Sequence, residues 1–171
     1  MLKIAISFLF LMLGAKAQTL TVCEVLRGLE DLNHQTIKVR GSWGVGDAGE
    51  SLITTSPCDR RTVRDGWIWQ DAIQVFAQTD KAKAFAYDFH RQEKENSRIV
   101  ATLSGRLETR DHFEVQTLVT GVKRPVAYKY FVALLRYEDV EDMKAFPFKP
   151  GEWERELEIL RHPLPKRVQQ R

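Results

Sequence analysis

Hydrophobic and polar positions alternate through residues 99–109: Ile99, Ala101, Leu103, Gly105 and Leu107 fall on one side, Thr102, Ser104, Arg106 and Glu108 on the other. A period of two over eleven residues predicts a long, half-buried β-strand. Gly105, in its middle, predicts a bend or bulge, because a strand interior gains nothing from a missing side chain. Residues 36–43 repeat the pattern, with Ile37, Val39, Gly41 and Trp43 opposed to Lys38, Arg40 and Ser42. A glycine-rich turn over 44–49 and a short strand over 51–55 follow. The end of 67–76 (Ile73, Val75, Phe76) predicts a third strand. Beyond the central strand, Asp111-His112 reads as a turn and 113–121 as its hairpin partner. Residues 128–140 are apolar on both alternating faces; a strand covered on both sides is preferred there, although Phe131, Leu134 and Leu135 also have helical spacing.

Between these segments the period changes. Thr21 and Glu24 have the spacing of a capping box, and Val22, Val25, Leu26, Leu29 and Leu32 then form one apolar helical stripe ending at Asn33 or His34. Thr79 is placed to cap a helix over 80–95 with Ala82, Phe85, Ala86 and Phe89 on its inner face. From Pro147 the texture shifts to an extended proline-aromatic segment, a short helix over 152–161 with Trp153, Leu157 and Leu160 on one side, and a basic, proline-broken tail over 162–171 read as disordered. The helix would fold back to cover a sheet edge, or else dock on a partner or a membrane surface.

The first seventeen residues change the picture of the compartment. Lys3, the apolar run 4–13 and Ala15-Lys16-Ala17 have the three-part form of a secretory signal peptide, with cleavage expected before Gln18. Ten apolar residues fall short of the roughly 20 that a spanning helix needs. Without Lys3 and Lys16 the formal net charge falls from +3 to +1, so charge argues against a nucleic-acid partner. In an oxidising compartment Cys23 and Cys58 most simply form one disulfide; two buried thiols or a two-cysteine metal site are the alternatives. The reading is therefore a secreted or periplasmic protein, its leader followed by one domain over 18–146 and the distinct segment 147–171.

Helix, hairpin, third strand, helix and further long strands is the element count of a five-stranded Greek-key barrel, which commonly carries a helix between strands three and four. The stretches CEVLRGLEDLNHQTIKVRGSW and IVATLSGRLET resemble small secreted bacterial proteins with an oligonucleotide/oligosaccharide-binding-like (OB-like) fold. The resemblance implies a mainly β, α+β chain: a small OB-like β-barrel with an N-terminal helix, a helix after the third strand, and a C-terminal tail helix. It implies no activity, since fold and function are separable.

The sharpest chemical candidate is Arg60, Arg61 and Arg64 beside Trp67 and Trp69, with Lys38 and Arg40 on the outward side of the first strand. Guanidinium groups next to exposed indoles can hold a sugar acid, a phosphorylated ligand or a single strand by ion pairing and stacking. The plain alternative is a solvated arginine loop whose tryptophans turn into the core. His112 and Glu114, with Asp111, offer only two or three ligands at a hairpin tip, so no metal site and no cofactor is assigned. No G-x-S-x-G is present, and catalytic carboxylates (Asp47 and Glu50; Glu138, Asp139, Glu141 and Asp142) would have to gather in space. The function expected is a non-enzymatic exported binding or envelope-associated module taking an anionic or saccharide ligand or a cell-envelope protein. A secreted hydrolase and an assembly protein acting through the C-terminal helix are the alternatives.

Overall fold

Thr21 is the point at which the chain turns from strand to helix. Strand β1 (Thr19–Thr21) runs parallel to β2 (Thr36–Gly46), with Leu20 beside Val39. Thr21 then caps α1 (Val22–Arg27): its Oγ1 accepts the Glu24 N–H at 3.2 Å, and the Glu24 carboxylate accepts the Thr21 N–H at 2.6 Å. That backbone bond, more than any other contact, holds the Glu24 carboxyl below its usual range. Val22, Val25 and Leu26 of α1 and Leu29 of α2 (Leu29–Leu32) are buried, as the stripe requires. The computed structural model describes residues 18–47, 49–64, 66–92, 97–109, 131–161 and 166–167. The segment 1–17 read as a signal peptide, the strand expected over 113–121 and the residues Asp111, His112 and Glu114 lie outside them.

Among the described residues the fold is α+β, with four helices and two sheets. In the larger sheet β2 pairs antiparallel with β3 (Gly49–Ile53), and β3 with β6 (Ala72–Ala77). β6 lies parallel to β8 (Ala133–Pro147), which pairs antiparallel with β7 (Ser97–Thr109). β7 pairs on its other edge with β2, from Thr36 opposite Arg106 to Trp43 opposite Ile99. Both edges of the central strand are thus taken by strands distant in sequence. A smaller sheet joins β4 (Val63–Arg64), β5 (Trp67–Ile68) and β9 (Lys166–Arg167).

Several boundaries differ from the sequence reading. β2 continues to Gly46, because Val45 and Gly46 still pair with Glu50 and Gly49, so the expected glycine-rich turn shrinks to its tip. β8 is a strand, and it runs seven residues past Val140 because its polar second half pairs with the start of β7. The end of 67–76 forms the expected third strand, and Trp67 and Ile68 ahead of it form a separate strand of the small sheet. There they meet Lys166 and Arg167, two residues of the tail expected to be disordered.

The core lies on one face of the large sheet, beneath α1 and α3 (Asp80–Gln92). Thr79 caps α3 by accepting the Ala82 N–H at 3.1 Å, and Ala82, Ala86 and Phe89 are buried. The Trp43 ring stacks on Phe89 with centroids 4.4 Å apart and meets the edge of Tyr137 at 5.6 Å. Aromatic pairs of this kind contribute about 0.5–1.5 kcal/mol beyond their buried area. Burial, with Glu50 beside it, pushes the Tyr137 hydroxyl above its ordinary range, and that hydroxyl donates to Glu50 at 3.1 Å. No helix among the described residues is long and apolar enough to cross a membrane.

α4 (Glu152–Arg161) covers the opposite face rather than an edge. Ile159 is buried with Ile53, Ala72 and Phe131, and Leu160 packs over Gly44 and Gly46. A Cβ at Gly46 would come within 2.8 Å of Leu160 Cβ, so the helix reaches the strand only because a side chain is missing there. The buried side therefore runs through Glu156 and Ile159, whereas Trp153, expected inside, is 44% exposed and meets Phe148 edge-on.

Glu156 is the unusual group in this contact. It is buried, accepts the Ser42 hydroxyl at 2.9 Å and lies 3.8 Å from Arg98, which is closer to Glu152 at 3.2 Å. Burial outweighs those contacts and raises its carboxyl above the ordinary range. A raised folded value means that this group stabilises the fold fully below its unfolded pKa, and that the contribution is lost as pH rises through the folded one. Glu156→Gln keeps an acceptor for Ser42 and removes the buried charge. Its urea midpoint is expected to match the parent at acid pH and to exceed it increasingly towards neutrality. A variant equally or less stable at neutral pH would show that pairing with Arg98 outweighs desolvation.

Candidate anion-binding site around the arginine loop

Residues 54–62 connect β3 to β4 as a loop fastened to its surroundings at several points. The Thr54 N–H bonds to Asp71 O at 3.1 Å, and the Cys58 N–H to the Asp71 carboxylate at 3.1 Å. The Thr54 hydroxyl bonds to Ser56 O, and the Trp69 N–H reaches Thr62 O at 2.8 Å. The Cys23–Cys58 disulfide, with Cα atoms 5.5 Å apart, ties the loop to α1. A loop so held presents its arginines from a fixed base, and less ordering entropy opposes a ligand.

The sequence candidates separate into three groups. Lys38 is committed: its ammonium lies 2.6 and 2.9 Å from the two Glu141 oxygens. Trp69 is 3% exposed within the core, its Nε1 donating to Arg64 O at 3.3 Å, and Trp67 is half-buried against the same core. The expected pair of open indole faces is therefore absent, because these rings are needed to fill the space beneath the loop. The arginines remain. Arg64 bridges to Glu30 at 2.9 Å. Arg60 and Arg61 are exposed, and Arg40 is half-buried on β2, donating to Thr102 at 3.2 Å. Among the described residues none of Arg40, Arg60 and Arg61 is in an ion pair.

Two adjoining cavities collect these groups. One, of about 290 Å³, lies between α1 and the loop and is lined by Arg27, Arg40, Thr21, Thr54, Ser56 and Asp59, with both cysteines in its wall. The other, of about 450 Å³, also has Arg27 in its wall and is lined by Arg60, Arg61, Arg64, Glu30 and Asp31. Arg27 belongs to both. Sequence reasoning missed Arg27, yet the signal was present: joining Cys23 to Cys58 brings the residue one turn after Cys23 alongside the hydroxyl-rich segment TTSPCD.

Guanidinium forks bind carboxylate, sulfate or phosphate oxygens in pairs, and the hydroxyls of Thr21, Thr54 and Ser56 add neutral donors. A hydrolase working through the carboxylates considered above would need two of them with separated pKa values in a cleft. Among the described residues Glu156 is the one carboxylate held above its usual range, and it is buried on the sheet-facing side of α4. Glu108 is buried against Arg136 at 2.9 Å, and Asp139 is lowered chiefly by the Lys81 ammonium at 2.7 Å. No group of three or more His, Cys, Asp or Glu among the described residues is placed to hold a metal. No family model, curated protein or solved structure matches the chain.

Proposed function

We propose that the protein is an exported, non-enzymatic binding module on an OB-like barrel, and that it holds an anionic ligand at Arg27 and Arg40. The barrel reading is supported by the order of pairing: the ladder from β2 through β3, β6 and β8 to β7 comes back to β2. It is also supported by the parallel match of β6 with β8 and by the place of α3 between the third and fourth of these five strands. The disulfide is compatible with an oxidising compartment. In barrels of this type ligands commonly lie on the face of strands two and three. Here α4 occupies part of that region, which leaves the rim beside α1 as the open basic surface.

One observation carries the functional reading. Arg27 of α1 and Arg40 of β2 line one cavity with no ion-pair partner among the described residues, beside a loop that the disulfide fixes in place. Thermal unfolding at low ionic strength with phosphate, sulfate or galacturonate is the test. Binding to the folded state at about a hundredfold excess over Kd raises the midpoint by roughly 5–10 °C for a chain of this size. Arg27→Ala with Arg40→Ala is expected to remove two charge-assisted contacts of roughly 1.5–3 kcal/mol each and so abolish the shift. Addition of salt is expected to diminish it. If none of the three anions moves the midpoint, the reading fails.

A further inference from the structure

The two cavities share Arg27 in their walls, so a ligand longer than a single anion could run from Arg40 past Arg27 to Arg60 and Arg61. The geometry points to an acidic polysaccharide of the uronate kind as that ligand, an inference that rests on the anion-binding reading above. Each cavity mixes cations with acceptors: Arg27 and Arg40 stand with Asp59, and Arg60 and Arg61 with Asp31. The Asp31 and Asp59 carboxylates have no hydrogen-bond or ion-pair partner among the described residues. A uronate residue carries one carboxylate and several hydroxyls, so its charge suits a guanidinium fork while its hydroxyls donate to the aspartates. Leu26, Leu29 and Val63 give the second cavity an apolar side on which the C–H face of a sugar ring packs.

A nucleic-acid strand fits the same surface poorly. It brings a phosphate at every residue, which Asp31, Asp59 and Glu30 repel, and its bases require ring faces to stack on. Trp69 is buried, Trp67 is half-buried, and no aromatic side chain lines either cavity among the described residues. Deoxynucleotides also lack the vicinal hydroxyls that would engage the aspartates.

The experiment is calorimetric titration of the purified protein with galacturonate monomer, galacturonate oligomers of four to eight units, neutral galactose oligomers of equal length, and oligo-dT. The expected result is at least tenfold tighter binding of the uronate oligomer than of its monomer, with no binding of the neutral oligomer. Arg27→Ala, which cuts the path at its middle, is expected to bring the oligomer back to monomer strength or weaker. Asp31→Asn with Asp59→Asn is expected to weaken the uronate oligomer several-fold while leaving phosphate binding unchanged or stronger. That contrast separates recognition from loss of folding. Equal affinity for monomer and oligomer overturns the polysaccharide inference and leaves the anion reading standing. So does tighter binding of oligo-dT than of the uronate. Failure of every anion, phosphate included, overturns both.

Discussion

Gly105→Ala is expected to prevent stable folding, or to leave a chain that unfolds at a small fraction of the parent's urea midpoint. A Cβ at this position would fall on the Arg136 carbonyl oxygen and within 2.5 Å of Tyr137 Cα. Both are backbone atoms, so no rotamer change relieves the clash. The site is where the β7–β8 register slips: Ser104 faces Asp139 but Gly105 faces Tyr137, leaving Glu138 as the extra residue of a bulge. The bulge has a use, since the Glu138 carbonyl accepts the Thr79 hydroxyl at 3.1 Å and the Tyr137 carbonyl accepts the Gln78 N–H at 2.9 Å, which joins the start of α3 to the sheet. Overpacking a core costs about 1–3 kcal/mol where side chains can adjust, and here two strands would have to part. Circular dichroism and urea titration of the variant provide the check. A midpoint within experimental error of the parent would mean that the strands do not approach as described.

Replacing both cysteines with serine is the second large effect. The bridge closes a sequence separation of 35, for which the chain-entropy model gives about 4 kcal/mol of stabilisation. That is a large share of the 5–15 kcal/mol by which domains are stable. The double variant is expected to unfold at markedly lower urea, and the parent to follow it when a dithiol reductant is added. Anion binding should weaken as well, because Cys23 and Cys58 stand in the wall of the cavity that holds Arg27 and Arg40. A variant with unaltered midpoint would show that the hydrogen bonds from Thr54 and Cys58 to Asp71 suffice to hold the loop.

What could be read from the residues was mostly what local chemistry decides. The Thr21–Glu24 cap, the α1 stripe, the Thr79 cap, the alternation of β2 and β7 and the pairing of Cys23 with Cys58 each depend on a few neighbouring side chains or on one covalent rule. The misses share a different cause. β1 is three residues long, and β4, β5 and β9 two each, too short to carry a period. The polar run after Val140 is a strand because β7 is waiting for it, not because of its own pattern. Trp69 and Glu156 are buried by elements remote in sequence, which no window along the chain contains. The arginines were legible as a cluster; the loss of their tryptophan partners and the arrival of Arg27 were not, since both depend on how α1 and the loop meet.

The long ladders have a kinetic meaning. Gln74 pairs with Leu134 and Thr36 with Arg106, spans of 60 and 70 residues, whereas β2, β3 and β6 come one after another among the large sheet's strands, within residues 36–77. Distant closures surrender chain entropy before they return any contact, so they are the slow events in assembling such a sheet. The three consecutive strands serve as a template on which two late arrivals must land. Until they do, the bare margins of β2 and β6 are open to any passing strand, and that interval is when this polypeptide is most apt to stick to its own kind.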